Sequence, residues 1–458
     1  MVLRVFAENR PYASKWEHLD SRPLPLWYDV GKIGIFIHWG LYSVPAKGEW
    51  LWSMLDNGNT DMIDFMKNNY SSDFQYENFA SLFKAESFEP DFWAELFSKA
   101  GAKYVVFTTK HHEGFALFPS KSGAPGWNSV ETGPKKDIVN ELSQSIRKYN
   151  MKFGAYYSLL EWHNEMYLKD KDELFLNTTY VDKLVWKDIK QLIRDYKPSV
   201  LWLDGEWEAC CRYWKATELL TWLYNKSPVK DEIVVNDRWC KTSRCGHGDF
   251  YTCDDRYNPH ALMFHKWENA FTLDRYSWGY RSDMTIADVL SIEELIENVV
   301  STVSCGGNVL INVGPTKEGI IVPIFQERLL QLGEWLLING EAIYNTSAWF
   351  YQRDTLNLDV WYTCKKERYD TFRLSNIPNK NDSIVAIYAI FLKWPVDDIL
   401  SVKDLSSYIS KNEFDQISLL LPDKHISLNY TIMNNSVVAV RLPSNASNYF
   451  GWVLKIDD

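Results

Sequence analysis

Residues 198–208 read Pro198-Ser-Val-Leu-Trp-Leu-Asp204-Gly-Glu-Trp-Glu208, a short apolar run that stops at Asp204 with Gly205 directly behind it. A continuous apolar run bounded by a Pro and a Gly is the pattern of a parallel strand buried on both faces. Side chains alternate along a strand, so Val200, Trp202 and Asp204 share one face, and Leu201 and Leu203 the other. With the leucines packed outward on helices, Asp204 stands at the carboxyl end of the strand and faces inward beside an indole, where α/β proteins build their sites. An Asp between a strand and a helix can also serve as an N-cap, and spacing alone leaves both readings open. Glu206 and Glu208 lie past the Gly205 break, so alternation selects Asp204 from the three carboxylates.

The same pattern recurs on both sides of this strand. Upstream, Ile33, Ile35 and Ile37 alternate with Gly34, Phe36 and His38, and Glu49-Trp50 follows on a loop. Residues 104–109 form a β-branched and aromatic strand running into Lys110-His111-His112-Glu113. Residues 152–158 place Gly154, Tyr156 and Ser158 on one face. Downstream, residues 232–239 read as a strand with Val234, Asn236 and Arg238 on one face, Glu268 falls at a strand or loop end, and residues 308–313 form another strand. Amphipathic helical spacing fills residues 89–100, 137–148, 179–196, 219–224, 292–303 and 325–337, with Asp137 as an N-cap. Strand and helix thus alternate about eight times, which predicts an α/β fold with a (β/α)8-like barrel. An open doubly wound sheet is the competing architecture, but no Gly-x-Gly-x-x-Gly loop is present to give it a nucleotide.

Beyond residue 347 the period changes. Residues 384–392, 417–421, 437–442 and 450–456 are short alternating strands, which predicts a C-terminal antiparallel β-sandwich. The expected division is a catalytic barrel over residues 1–346 and a sandwich over 347–458.

The 458-residue chain is 46% hydrophobic, with 21 Trp and 26 Tyr, and its aromatic faces suit sugar rings as well as cores. A net charge of -11 argues against nucleic acid or an anionic membrane as partner. No apolar run reaches the roughly 18 residues of a membrane helix. The first ten residues carry charges where a signal peptide has its apolar segment. Against that stand Asn-x-Ser/Thr triplets at Asn69, Asn177, Asn225, Asn345, Asn381, Asn429, Asn434 and Asn445, with Pro228 spoiling the third. They point to a chain that meets the glycosylation machinery, and a mature or N-terminally incomplete chain reconciles the two signals. Among 7 cysteines, Cys240, Cys245 and Cys253 cluster around His247, beside the pair Cys210 and Cys211. Four ligands at zinc-finger spacing are absent, so one loop disulfide is the expectation and at least one thiol is left over.

A parallel barrel gathers its strand ends on one rim, here His38, His111, His112, Tyr156, Trp202, Asp204, Arg238 and Glu268. Taken singly, each has a structural reading, such as a satisfied core histidine or an arginine bridging strands. Together they form a ring of aromatics, imidazoles, a guanidinium and two carboxylates, suited to holding a polyhydroxylated ring and breaking an acetal. Zinc held by His38, His111, His112 and Asp204 is the competitor, weakened because adjacent histidines on a strand point to opposite faces.

Several longer segments sharpen this reading: Gly34-Ile-Phe-Ile-His-Trp-Gly40, Gly101-Ala-Lys-Tyr-Val-Val-Phe-Thr-Thr-Lys-His-His-Glu-Gly-Phe115, Trp202-Leu-Asp-Gly-Glu-Trp207, Val235-Asn-Asp-Arg-Trp239, His265-Lys-Trp-Glu268, Ser277-Trp-Gly-Tyr-Arg281 and Gly306-Gly-Asn-Val-Leu-Ile-Asn-Val-Gly-Pro315. With them the chain, from about Trp16 to its end, resembles the α-L-fucosidases of glycoside hydrolase family 29, in the style of the animal lysosomal and secreted enzymes. That resemblance implies a retaining exo-glycosidase acting on fucosylated glycans, without metal or cofactor. It implies Asp204 as nucleophile and Glu268 as general acid/base, with His38, Glu49, Trp50, His111, His112, Tyr156, Trp202 and Arg238 contacting fucose. Homo-oligomers enter by analogy. The alternative is a fucose-binding, lectin-like protein that has lost catalysis, against which stands the presence of both carboxylates.

Overall fold

Seven parallel strands form one sheet in the order β5-β4-β3-β2-β1-β7-β6. They are β1 Ile33–Ile37, β2 Tyr104–Lys110, β3 Lys152–Ser158, β4 Val200–Asp204, β5 Val234–Val235, β6 Glu268–Thr272 and β7 Asn308–Val313. The computed structural model describes residues 11–367, 383–409, 416–422, 424–433, 436–444 and 450–458. Between the two sheet edges, residues 249–251 act as an eighth stave. The Asp249 and Phe250 amides donate to the Val235 carbonyl, the Tyr251 amide to Lys266, and the Glu268 amide to the Tyr251 carbonyl. The sheet therefore curls into a barrel, with helices such as Pro90–Lys99, Ile138–Lys148, Trp186–Tyr196 and Pro323–Asn339 following the strands.

Alternation along β4 divides its side chains as expected. Val200 and Trp202 join Phe36, Tyr104, Val106, Tyr156 and Leu310 inside the barrel, whereas Leu201 and Leu203 pack into the outer core. Gly34 makes the interior packing possible: a Cβ there would lie 2.4 Å from the Tyr104 ring. Gly205, at φ +75°, turns the chain away directly behind Asp204, a conformation that disfavours residues with a Cβ. The next helix begins only at Cys211, so Asp204 caps nothing. The helix signals hold as well: Asp137 accepts from the Asn140 amide as an N-cap.

The strand expected over residues 232–239 is a correction. Only Val234–Val235 pair as strand, because the Asn236 side chain replaces the ladder. Its amide donates to the Leu203 carbonyl at 2.8 Å and its oxygen accepts from the Leu203 amide at 3.0 Å. The main chain is thereby free to leave the sheet and carry Arg238 over the barrel mouth.

The C-terminal part holds a six-stranded sheet, β13-β12-β16-β10-β9-β8, and a three-stranded sheet, β11-β15-β14. Their ranges are β8 Ser347–Arg353, β9 Val360–Lys366, β10 Ile384–Phe391, β11 Ile399–Val402, β12 Gln416–Leu421, β13 Lys424–Ser427, β14 Tyr430–Met433, β15 Val437–Arg441 and β16 Trp452–Asp457. Trp349, Ile387 and Leu454 of the larger sheet meet Val402, Val438 and Val440 of the smaller one in a separate core, as a sandwich requires. The sequons at Asn381, Asn434 and Asn445 lie outside the described residues; Asn69, Asn177, Asn345 and Asn429 are exposed.

Candidate active site

The barrel mouth holds a small cleft lined by Phe36, His38, Glu49, Trp50, His111, His112, Tyr156, Trp202, Asp204, Arg238, Asp255 and Trp278. Asp204, the last residue of β4, is its electrostatic centre. Its Oδ1 accepts from Arg238 Nη1 at 2.9 Å, its Oδ2 from the Tyr156 hydroxyl at 2.9 Å, and His112 Nε2 stands 3.6 Å from Oδ2. Burial pushes the carboxyl up, but Arg238, His112 and the Tyr156 bond outweigh it, holding Asp204 well below the usual carboxylate range. It is therefore ionised across the physiological range, as a nucleophilic carboxylate must be.

Arg238 does three things at once. Its Nη1 holds Asp204, its Nη2 donates to Asp255 at 2.6 Å, and its Nε donates to the Thr252 hydroxyl at 3.1 Å. Its guanidinium carbon also lies 4.7 Å from the centre of the Trp202 ring. Two carboxylates thus share one planar fork, a geometry lysine cannot supply. Asp255 remains accessible, its side chain 45% exposed, whereas that of Asp204 is 12% exposed.

Two of the three cleft imidazoles are fixed by neutral partners. His38 Nδ1 pairs with the Asn312 side-chain oxygen at 2.8 Å, and His112 Nδ1 with the Ser158 hydroxyl at 2.6 Å. Burial, with the neighbouring His111, pushes both His38 and His112 down, His38 to about 3. An unfolded imidazole titrates near 6.5. Between those values the unfolded chain binds the extra proton, so the stability contributed by neutral His38 is present above pH 6.5 and is lost as pH falls, by about 2 kcal/mol at pH 5. A falling Tm between about pH 7 and pH 5 is expected, and His38→Gln should flatten part of that slope. Equal slopes for both proteins would contradict this assignment.

The expectation that His111 and His112 face apart does not hold. Strand β2 ends at Lys110, so both residues lie in the turn beyond it, and their ring centres stand 4.2 Å apart in the cleft. Glu49 accepts from the Ser277 hydroxyl and the Gly279 amide, both on Oε2, which presents its carboxylate beside the half-exposed Trp50.

Glu268 is a second correction. It opens β6 instead of ending a strand, pairing in register with Asn308 at the start of β7, so it lies at the opposite end of the barrel from the mouth. It is fully buried and accepts from the hydroxyls of Tyr28 and Tyr104 at 2.7 and 2.6 Å, and from Trp202 Nε1 at 3.0 Å. Burial pushes its carboxyl up, opposed by those three donors. It touches the site only from below, through Trp202.

Sequence reasoning missed Asp255 and left Trp278 and Phe36 without a role. Asp255 sits on an irregular loop built around Asp237, whose carboxylate accepts from the amides of Cys245, Thr252 and Cys253 and from the Thr252 hydroxyl. The loop carries two disulfides where one was expected, Cys211–Cys240 and Cys245–Cys253. The second bridge occupies the thiols that, with Asp237, form a potential metal cluster. Cys210, Cys305 and Cys364 lie outside the bridges. His247, the other candidate ligand, stacks on Trp16 and bonds Asp20.

Comparison with known proteins settles the family. The alpha-L-fucosidase family model matches residues 3–341, and the alpha-L-fucosidase C-terminal domain matches residues 352–457. The chain belongs to the alpha-L-fucosidase family. It is 48% identical to the human tissue alpha-L-fucosidase over 86% of this chain and 81% of that one. Against the plasma alpha-L-fucosidase of Rattus norvegicus it is 45% identical over 97% of this chain and 94% of that one. Its fold is similar to that of the Thermotoga maritima alpha-fucosidase in complex with fucose, with a TM-score of 0.77 and 32% identity, covering 97% of this chain and all of that one. This member of the fucosidase family is accordingly a glycoside hydrolase that removes fucose from glycoconjugates. The fucosidase fold combines the catalytic barrel with a C-terminal sheet domain, as the strand orders above describe.

Proposed function

We propose that this fucosidase is a retaining exo-enzyme releasing terminal α-L-fucose from glycoprotein and glycolipid glycans, with Asp204 as nucleophile and Asp255 as general acid/base. The observation that carries the reading is the shared guanidinium: Arg238 holds both carboxylates in one cleft at the barrel mouth. Retention requires the reacting carboxyls about 5 to 5.5 Å apart, one ionised and one able to carry a proton. Asp204, held ionised, attacks the anomeric carbon. Asp255, exposed at the mouth, protonates the departing oxygen and then activates water. His38, Glu49, Trp50, His111, His112, Tyr156, Trp202 and Arg238 contact fucose, whose methyl group the aromatic floor of Phe36 and Trp278 can cover. Glu268 leaves the acid role and becomes an anchor that fixes the Trp202 indole.

The barrel unit is assigned to residues 1–346 and the sandwich to 347–458. A lysosomal or secreted location is supported by the exposed sequons, the two disulfides and the likeness to a plasma enzyme. Among the described residues no helix is long and apolar enough to cross a membrane.

The substrate reading is tested by comparing α-L-fucosides with β-L-fucosides and α-L-galactosides. Turnover of the first alone is expected. Equal turnover of the galactoside would contradict an enclosed site for the fucose methyl group.

A further inference from the structure

Trp50 lines the cleft, and two further indoles with no role so far pack against it. Trp162 and Trp207 flank it, their ring centres 5.4 and 6.4 Å from that of Trp50. Both also pack against His112, each at 5.4 Å. All three are partly exposed, Trp50 at 36%. Their placement is fixed by the fold. The Trp162 amide donates to the His112 carbonyl at 2.9 Å. The Arg244 guanidinium lies 6.0 Å from the Trp207 ring and is itself held by the buried Glu206 at 2.5 Å.

Three clustered indoles left partly in water forgo the burial that a core would give them, and such patches mark binding surfaces. The occupant follows from the chemistry of the cleft. The cleft is small, and the side chains that line it are those proposed to contact fucose, so little beyond that sugar can lie within it. The bond to be broken lies near its mouth, where Asp204 and Asp255 meet on Arg238. Whatever stands on the other side of that bond must rest outside the cavity, against the surface that frames the mouth. In a natural glycan it is another pyranose, whose C–H face stacks on indole.

We infer that Trp162 and Trp207, together with Trp50, form a binding site for the sugar to which fucose is attached. This inference rests on the proposed placement of the scissile bond between Asp204 and Asp255. The site selects for a leaving group that is a sugar ring, and it distinguishes glycans from fucosides bearing small leaving groups.

The test measures binding alone, so it does not depend on which carboxylate performs which step. The affinities of the enzyme for free L-fucose and for a non-hydrolysable, sulfur-linked fucosyl-galactoside are compared by calorimetry in Trp162→Ala, Trp207→Ala and the corresponding Phe variants. The Ala variants are expected to raise the ratio of disaccharide Kd to fucose Kd by about tenfold, the effect of one lost stacking contact. The Phe variants should recover most of the original ratio. A variant that loses its fold loses L-fucose binding too, and the Phe pair then decides. An unchanged ratio, whether both ligands weaken together or neither does, would overturn the inference. Failure of the Asp204 and Asp255 assignment would show itself separately, in the turnover and stereochemistry of carboxylate variants.

Discussion

Asp204→Gly is expected to lower kcat on α-L-fucosides by on the order of 10^4-fold while leaving L-fucose binding measurable. The loss follows from the position of this carboxylate at the end of β4, where Arg238 and Tyr156 hold it ionised and aimed into the cleft. Glycine also opens space beside the anomeric carbon. Added azide should enter that space and attack from the face Asp204 occupied, giving β-L-fucosyl azide from an activated α-fucoside. Residual turnover within tenfold of the parent would remove Asp204 from the mechanism, as would azide recovery with the α product. Because Arg238 would lose one of its two carboxylate partners, the variant is also expected to unfold at a lower temperature.

Asp255→Asn should separate the two carboxylates. Loss of a general acid lowers rates by roughly 10^2- to 10^4-fold when the leaving group needs a proton, and far less when it does not. Formation of the glycosyl-enzyme from a fucosylated oligosaccharide is therefore expected to slow by about that range, while kcat/KM for fucosyl fluoride is largely kept and its kcat is limited by slowed hydrolysis of the glycosyl-enzyme. Azide should again help, now by attacking the glycosyl-enzyme and yielding α-L-fucosyl azide. Glu268→Gln provides the contrast. Glu268 is fully buried beneath Trp202 and bonded by Tyr28 and Tyr104, so its loss should act equally on both substrates, lower the Tm and yield no azide product. The opposite pair of outcomes, azide rescue at Glu268 and none at Asp255, would return the acid/base role to Glu268.

These two residues also show what local sequence patterns reveal. Asp204 was legible because strand alternation and the Gly205 break fix both its face and its end of the strand. Glu268 was placed at the wrong end because a short apolar run ending in a carboxylate does not say whether the strand stops or starts there. The structure starts it there, and a shift of one strand length moves the residue from rim to floor. Asp255 carried no periodic signal at all. It is positioned by long-range bonds: the Asp237 carboxylate gathers three loop amides, and Arg238 reaches across from the end of the β5 segment. Asn236 misled in a related way, since a side chain that imitates the backbone ladder shortens a strand the sequence pattern extends. The barrel was legible from its alternation, although its closure through residues 249–251 depends on backbone bonds that no periodicity announces.

The central claim is a double displacement through Asp204, and the anomeric configuration of the first product tests it most directly. Proton NMR recorded within the first minutes of α-L-fucoside hydrolysis, before mutarotation, should show α-L-fucose forming first. β-L-fucose as the first product would mean a single displacement by water, and Asp204 could not then be the nucleophile.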